Sequence, residues 1–211
     1  MPSETPPPDH TVGELIWERD HQTNTDAQQA SLGRTRVRLL HQMRRPLPLS
    51  SAEIAETTSV YLRPFQVGID DAGLLSVNNQ AFAWHPDQGG WDQNRLQAQT
   101  LSSAFDPAML LIHEGNNGAI DGFCWTKIHP GVEDAPGMGE IYVIAADPST
   151  HGTGLGRALT VGGLKLLSAH GMEIGMLYVE ADNAAAIKLY ERLGFRVHHM
   201  ESAYVLAESA P

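Results

Sequence analysis

The chain has 211 residues, enough for one well-filled domain with an appendage but short for two complete domains of ordinary size. A formal charge of −11 with only three lysines argues against nucleic acid and anionic lipid surfaces as general partners. No apolar run approaches the roughly 18 residues of a bilayer span, so the chain reads as soluble. A lone cysteine, Cys124, excludes an internal disulfide framework or a multi-cysteine metal site and reads as a small buried hydrophobe.

Residues 1–11 are rich in proline and lack both a basic and an apolar region, which predicts a disordered leader with no export signal and a cytoplasmic protein. In residues 12–45 a short apolar run, GELIW, precedes SLGRTRVRLLHQM, where apolar residues alternate with arginines as in a half-buried strand. Prolines and serines in RRPLPLSSAEIAETTS predict a linker over 46–59. From residue 60 to 207 the signals strengthen. YLRPF starts a strand, and 70–83 can form a helix with Leu74, Leu75, Val77 and Phe82 apolar. WHPDQGGW breaks the periodicity. MLLIHEG and AIDGFCWTKI predict two antiparallel strands about NNG, since Asn-Gly supplies the positive φ angles of a tight hairpin. GMGEIYVIAAD is a central strand. The stripe Leu155, Leu159, Leu164 and Leu167 predicts a helix over 154–168, stopped at Gly171. MEIGMLYVE is a further buried strand. ADNAAAIKLYERLG is a helix with Asp182 or Asn183 as N-cap and Gly194 as its stop, and FRVHHMESAYVL closes the chain as one or two strands. This order predicts an α/β domain with a mixed sheet.

There is also an internal repeat. LIWERDHQTNTDAQQASLGRTRV can be laid over LYVEADNAAAIKLYERLGFRV: each has an apolar triplet ending in Glu (Glu18, Glu180), a polar turn, an alanine-containing helix, Leu-Gly, and a closing Arg and Val. The repeat predicts that residues 12–45 are the end of a second copy whose front is missing.

The strongest chemical signal is EIYVIAADPSTHGTGLGRAL, a buried strand running into a glycine-rich loop that opens a helix. Gly152, Gly154 and Gly156 allow backbone N–H groups to converge on one point, toward which the helix aims the positive end of its dipole. Such a bend suits a diphosphate without needing a basic surface, and the three glycines taken alone also suit a plain flexible turn. A P-loop would need lysine after Gly156, where Arg157 stands, and the third glycine comes one residue early for a dinucleotide fingerprint. HGTGLGRAL resembles the acetyl-CoA signature of the GNAT acetyltransferases, with His151 where Gln or Arg is usual. YVEADNAAAIKLYERLGF resembles the second half of that fold, with Asn183 and Tyr190 at the places of a cofactor-contacting Asn and a Tyr seven residues on. The resemblance implies a GNAT fold, a mixed and mostly antiparallel sheet flanked by helices. It further implies acetyl-CoA bound by Ile144, Ala145, Ala146, His151, Gly152, Thr153, Gly154, Leu155, Gly156, Arg157, Asn183 and Lys188. More narrowly, AFAWHPDQGGW, FCWTKIHP, GEIYVIAADP, LYVEADNAAA and QMRRPL resemble the mycothiol synthase family, tandem GNAT enzymes that acetylate the cysteinyl amine of cysteinyl-glucosaminyl-inositol.

Acyl transfer to an amine needs a base for the ammonium and an acid for the departing thiolate. Glu140 opens the strand that leads into the glycine loop and is the candidate base; Tyr190, on the last helix, is the candidate acid. By resemblance Asp87, Lys127 and Tyr178 join Glu140 around the acceptor. His85, His129, His198 and His199 have no metal-ligand spacing and are read as scattered surface histidines, with no metal. The expected partner is a small amine, and the expected state a monomer. Two alternatives stay open: another acceptor, such as a different small amine or a protein N-terminus, and a non-catalytic acyl-CoA-binding module.

Overall fold

A computed structural model describes residues 15–85, 88–131 and 136–206. The predicted leader and Asp87 lie outside the described residues. In chain order the elements are β1 (Ile16–Glu18), α1 (Thr25–Ser31), β2 (Arg34–Pro46), α2 (Ser51–Ala55), β3 (Arg63–Pro64), α3 (Asp71–Ala81), α4 (Gln93–Thr100), β4 (Leu110–Glu114), β5 (Ile120–His129), β6 (Met138–Ala146), α5 (Leu155–Ala169), β7 (Ile174–Glu180), α6 (Ala184–Arg192) and β8 (Arg196–Leu206). They fall into two compact units, one of residues 1–45 and 176–211 and one of residues 46–175.

In the first unit the strands lie in the order β1-β8-β2-β7. β8 is antiparallel to both β1 and β2, facing β2 from Arg34↔Leu206 to Arg44↔Arg196. The two segments aligned as a repeat follow the same strand–helix–strand course, β1-α1-β2 and β7-α6-β8. Each helix stops at a left-handed glycine, Gly33 (φ 69°) and Gly194 (φ 79°), where any side chain would be strained. Their inner strands β2 and β8 pair with each other while β1 and β7 lie outside, so exchanging the segments leaves the strand order unchanged. The alternation in SLGRTRVRLLHQM therefore marks a strand that runs on to Pro46, into the predicted linker.

In the second unit the order is β6-β5-β4-β3, with each neighbouring pair antiparallel. α5 covers one face. Its Leu159, Leu164 and Leu167 are completely buried, worth about 1.5–3 kcal/mol each in transfer out of water. The helix approaches closely because Gly163 faces β5 and β6: a Cβ there would lie 2.6 Å from both Cys124 Sγ and Ile141 Cδ1. Cys124 is the buried hydrophobe expected, its thiol pushed up to about 12 by burial. On the other face α3 and α4 enclose Leu74, Val77 and Leu96 with Phe123, Trp125 and Val143. Arg63 fixes the edge, donating to both Asp70 carboxylate oxygens at 2.6 and 2.8 Å and pairing also with Glu114. These bonds hold Asp70 below the usual carboxylate range.

Two short helices are absent from the sequence reading. α2 lies within the predicted linker and is started by a reciprocal cap between Ser50 and Glu53. α4 begins on Asp92, whose side chain accepts from Arg95 N–H at 2.8 Å. YLRPF yields only the two-residue β3.

Candidate active site

Glu140 stands near the start of β6, the strand that ends where the glycine loop begins. β6 does not run evenly along β5. Trp125 faces Val143, but the next pair is Thr126 with Ile141, so Tyr142 is an extra residue in the ladder. In the register set by Trp125 and Val143, Lys127 would face Ile141; because of the bulge it faces Glu140 instead. A one-residue slip moves a side chain to the opposite face of a sheet. The bulge thus separates Ile141, packed beneath Gly163 of α5, from Glu140, which shares the α3 and α4 face with Lys127 and Trp125.

A polar cluster forms there. Glu140 is only 7% exposed, and its Oε2 lies 2.7 Å from Nε2 of His129, so this histidine belongs to the site and is not a surface residue without a role. Lys127 Nζ sits 3.1 Å from the centre of the Tyr142 ring, which in turn packs edge-on against Trp125. Burial draws the lysine below its usual range, and the Glu140 charge acts in the opposite sense. The same burial, reinforced by Glu140, raises the Tyr142 phenol. His85 is also buried, accepting at Nδ1 from the Gln88 N–H at 3.1 Å. Among the described residues no three His, Cys, Asp or Glu side chains converge as a metal site would require.

Beyond Ala146 the chain passes through a short turn, Pro148–Thr150, into the loop. Gly152 and Gly154 have φ of 80° and 92°, and Gly154 is the N-cap of α5 without a side chain to satisfy the helix end. The first helical bond runs from Ala158 N–H to the Gly154 carbonyl at 3.0 Å, so the N–H groups of Gly156 and Arg157 have no carbonyl behind them in the helix. This arrangement fits a phosphate-bearing anion held by backbone donors. His151, Gly152 and Thr153 are exposed at its mouth. The Arg157 side chain is directed elsewhere, donating to Thr57 Oγ1 at 3.0 Å and to the Glu53 carbonyl at 3.2 Å; what it offers an anion in the loop is its backbone N–H. A separate cavity of about 540 Å³ lies between α5 and the chain that follows α2, lined by Thr57, Tyr61, Leu62, Val161 and Lys165 among others.

Ile144, Ala145 and Ala146 close β6, and the remaining described candidates belong to the first unit. Asn183 is the N-cap of α6, its Oδ1 accepting from Ala186 N–H at 3.1 Å. Lys188 is exposed on the same helix. Tyr190 is buried, its ring 5.8 Å from that of Phe195. The Tyr178 phenol accepts from Gln42 Nε2 at 2.7 Å and donates to Glu201 Oε1 at 3.2 Å. Both partners are nearly inaccessible and neither was anticipated.

The model of the acetyltransferase (GNAT) family matches residues 77–195, more than half of the chain. The chain belongs to the GNAT acetyltransferase family. Among solved GNAT structures, a GCN5-related N-acetyltransferase from Sphaerobacter thermophilus superposes with a TM-score of 0.70 at 22% identity, over 90% of this chain and 58% of that one. A tandem GNAT protein of the clavulanic acid biosynthesis pathway gives 0.63 at 13% identity, over 93% and 64%. The fold is therefore the GNAT fold, as the glycine loop implied. In sequence the chain is similar to mycothiol acetyltransferases: 42% identical to that of Saccharopolyspora erythraea over 92% of this chain and 63% of the relative, and 42% to that of Tsukamurella paurometabola over 92% and 68%. A third, from Thermobispora bispora, is 47% identical over 79% and 56%. The chain spans about three fifths of the length of the first of these relatives. No described helix is long and apolar enough to cross a membrane.

Proposed function

We propose that the chain is an acetyl-CoA-dependent N-acetyltransferase of the mycothiol synthase type, acting on the cysteinyl amine of cysteinyl-glucosaminyl-inositol. The observation that supports it most is the bulge at Tyr142. It turns the Glu140 carboxylate into a polar pocket on the same strand that delivers the phosphate loop. Acetyl-CoA supplies the activated acetyl group. Its diphosphate rests on the glycine loop of His151, Gly152, Thr153, Gly154, Leu155, Gly156 and Arg157, with the N–H groups of Gly156 and Arg157 as donors at the helix end; those of His151 and Thr153 are spent on the Pro148 and Thr150 carbonyls. The backbone of Ile144, Ala145 and Ala146 orients the thioester arm, and Asn183 and Lys188 contribute from α6. Glu140 accepts the proton that the ammonium must lose before it can attack, directly or through one water. Tyr190 returns a proton to the departing sulfur. Lys127, Tyr178 and Asp87 hold the acceptor, for which a sugar-inositol needs several hydrogen-bonding groups and a cationic amine favours a buried carboxylate. Residues 12–45 are the tail of a preceding GNAT repeat, a reading supported by the matching courses of β1-α1-β2 and β7-α6-β8. The protein acts in the cytoplasm, as a monomer, without metal.

The test is CoA release, followed with a thiol reagent. Purified protein with acetyl-CoA and the cysteinyl sugar is expected to release CoA well above background, and a panel of other small amines and N-terminal peptides is expected to give at least tenfold lower kcat/KM, the cost of one lost polar contact of about 1.4 kcal/mol or more. Equal rates across the panel would reassign the acceptor. Tight CoA binding in calorimetry with no turnover on any amine would reduce the protein to an acyl-CoA-binding module.

A further inference from the structure

We propose that His129 is a positioning residue that holds the Glu140 carboxylate in its working orientation; the proposal rests on Glu140 being the base of the reaction above. The two side chains come from neighbouring strands. His129 faces Met138 and Lys127 faces Glu140, so His129 reaches Glu140 along a cross-strand diagonal on one face of the sheet. The contact is short, Nε2 to Oε2 at 2.7 Å, and because an ionised carboxylate only accepts, Nε2 carries the hydrogen.

Neighbouring groups leave this task to the histidine. Lys127 is directly opposite Glu140, but its ammonium is drawn over the Tyr142 ring. Arg95 of α4 lies over the Trp91 ring, 4.9 Å from its centre. Among the described residues His129 is therefore the direct hydrogen-bond donor to the Glu140 side chain. A carboxylate this buried is costly unless it is hydrogen-bonded, and one without a fixed donor would turn toward Lys127. His129 engages Oε2 and leaves Oε1 to receive the proton of the acceptor amine. Its own side chain is 23% exposed, so it ties the buried base to the rim of the pocket without closing it.

The test is a double-mutant cycle on the full chain, with kcat and KM measured for His129→Ala, His129→Gln, Glu140→Gln and both His129 variants combined with Glu140→Gln. His129→Ala is expected to lower kcat about ten- to a hundredfold, the size of one hydrogen bond to a charged group, with KM for acetyl-CoA unchanged. His129→Gln, whose Nε2 can reach the same oxygen, should recover most of the rate. Adding His129→Ala to Glu140→Gln should cost nothing further, because the histidine acts only through the carboxylate. The proposal is overturned if His129→Ala costs the same factor in both backgrounds, if Gln fails to recover activity, or if His129→Ala keeps the wild-type rate while Glu140→Gln is impaired. Wild-type turnover by Glu140→Gln would instead overturn the assignment of the base itself. Thermal midpoints are measured throughout; if His129→Ala lacks a cooperative transition, His129→Asn, too short to reach Oε2, replaces it in the cycle.

Discussion

Glu140→Gln is expected to lower kcat by about a hundredfold or more, the range lost with a general base, while leaving the thermal midpoint and the affinity for acetyl-CoA near wild type. Glutamine has the shape of the side chain it replaces, its carbonyl oxygen can still accept from His129, and a neutral side chain avoids the cost of a buried charge. What it lacks is a lone pair basic enough to take the proton of an ammonium group. The loss therefore falls on turnover. A rise in KM for acetyl-CoA with kcat intact would place Glu140 in cofactor binding, and a collapse of the thermal transition would make the carboxylate a structural group.

The second large effect is expected at the glycine loop. Gly154 has a φ of 92°, and a Cβ there would meet Thr58 Oγ1 at 3.0 Å. Gly154→Ala must either hold a left-handed conformation at a cost of about 1–2 kcal/mol or relax out of it. Relaxation turns the neighbouring N–H groups away from their point of convergence. Losing one charge-assisted hydrogen bond to a phosphate, about 1.5–3 kcal/mol, raises the Kd for acetyl-CoA roughly ten- to a hundredfold. Calorimetry measures this directly. Because the substitution is remote from Glu140, kcat at saturating acetyl-CoA should fall far less than KM rises. The same alanine at Gly152, where a Cβ would touch nothing within 4 Å, should have the smaller effect, since only the backbone strain remains.

These two sites were unequally visible in the sequence. The loop could be read locally because its residues are consecutive; three glycines alone suit a plain turn as well as a phosphate site, and the resemblance of HGTGLGRAL to the GNAT signature chose between them. The N-cap of α6, narrowed to Asp182 or Asn183 and found at Asn183, and Gly194 as its stop were legible for the same local reason. α4 was not, because a helix of eight residues with one buried side chain, Leu96, has no apolar stripe. α2 could have been found from Ser50 and Glu53, whose spacing is that of a capping box, but the surrounding prolines and serines suggested a linker. Of the surroundings of Glu140, only Lys127 was named beforehand, and that through the family resemblance and not through periodicity. The alternation in GEIYVIAA has no mark at Tyr142, and without that extra residue Glu140 would be assigned to the α5 face, away from Lys127 and His129. His129 for the same reason looked like one of several scattered histidines. Pairing between strands is a long-range property, and Gln42, Tyr178 and Glu201 repeat the lesson in the first unit.

A structure of the protein crystallised with acetyl-CoA would show where the diphosphate is held. The diphosphate oxygens are expected at about 3 Å from backbone N–H groups of the loop from Gly152 to Arg157, with the thioester directed along β6 toward Glu140. CoA bound instead in the cavity between α5 and the segment after α2, with that loop untouched, would contradict it.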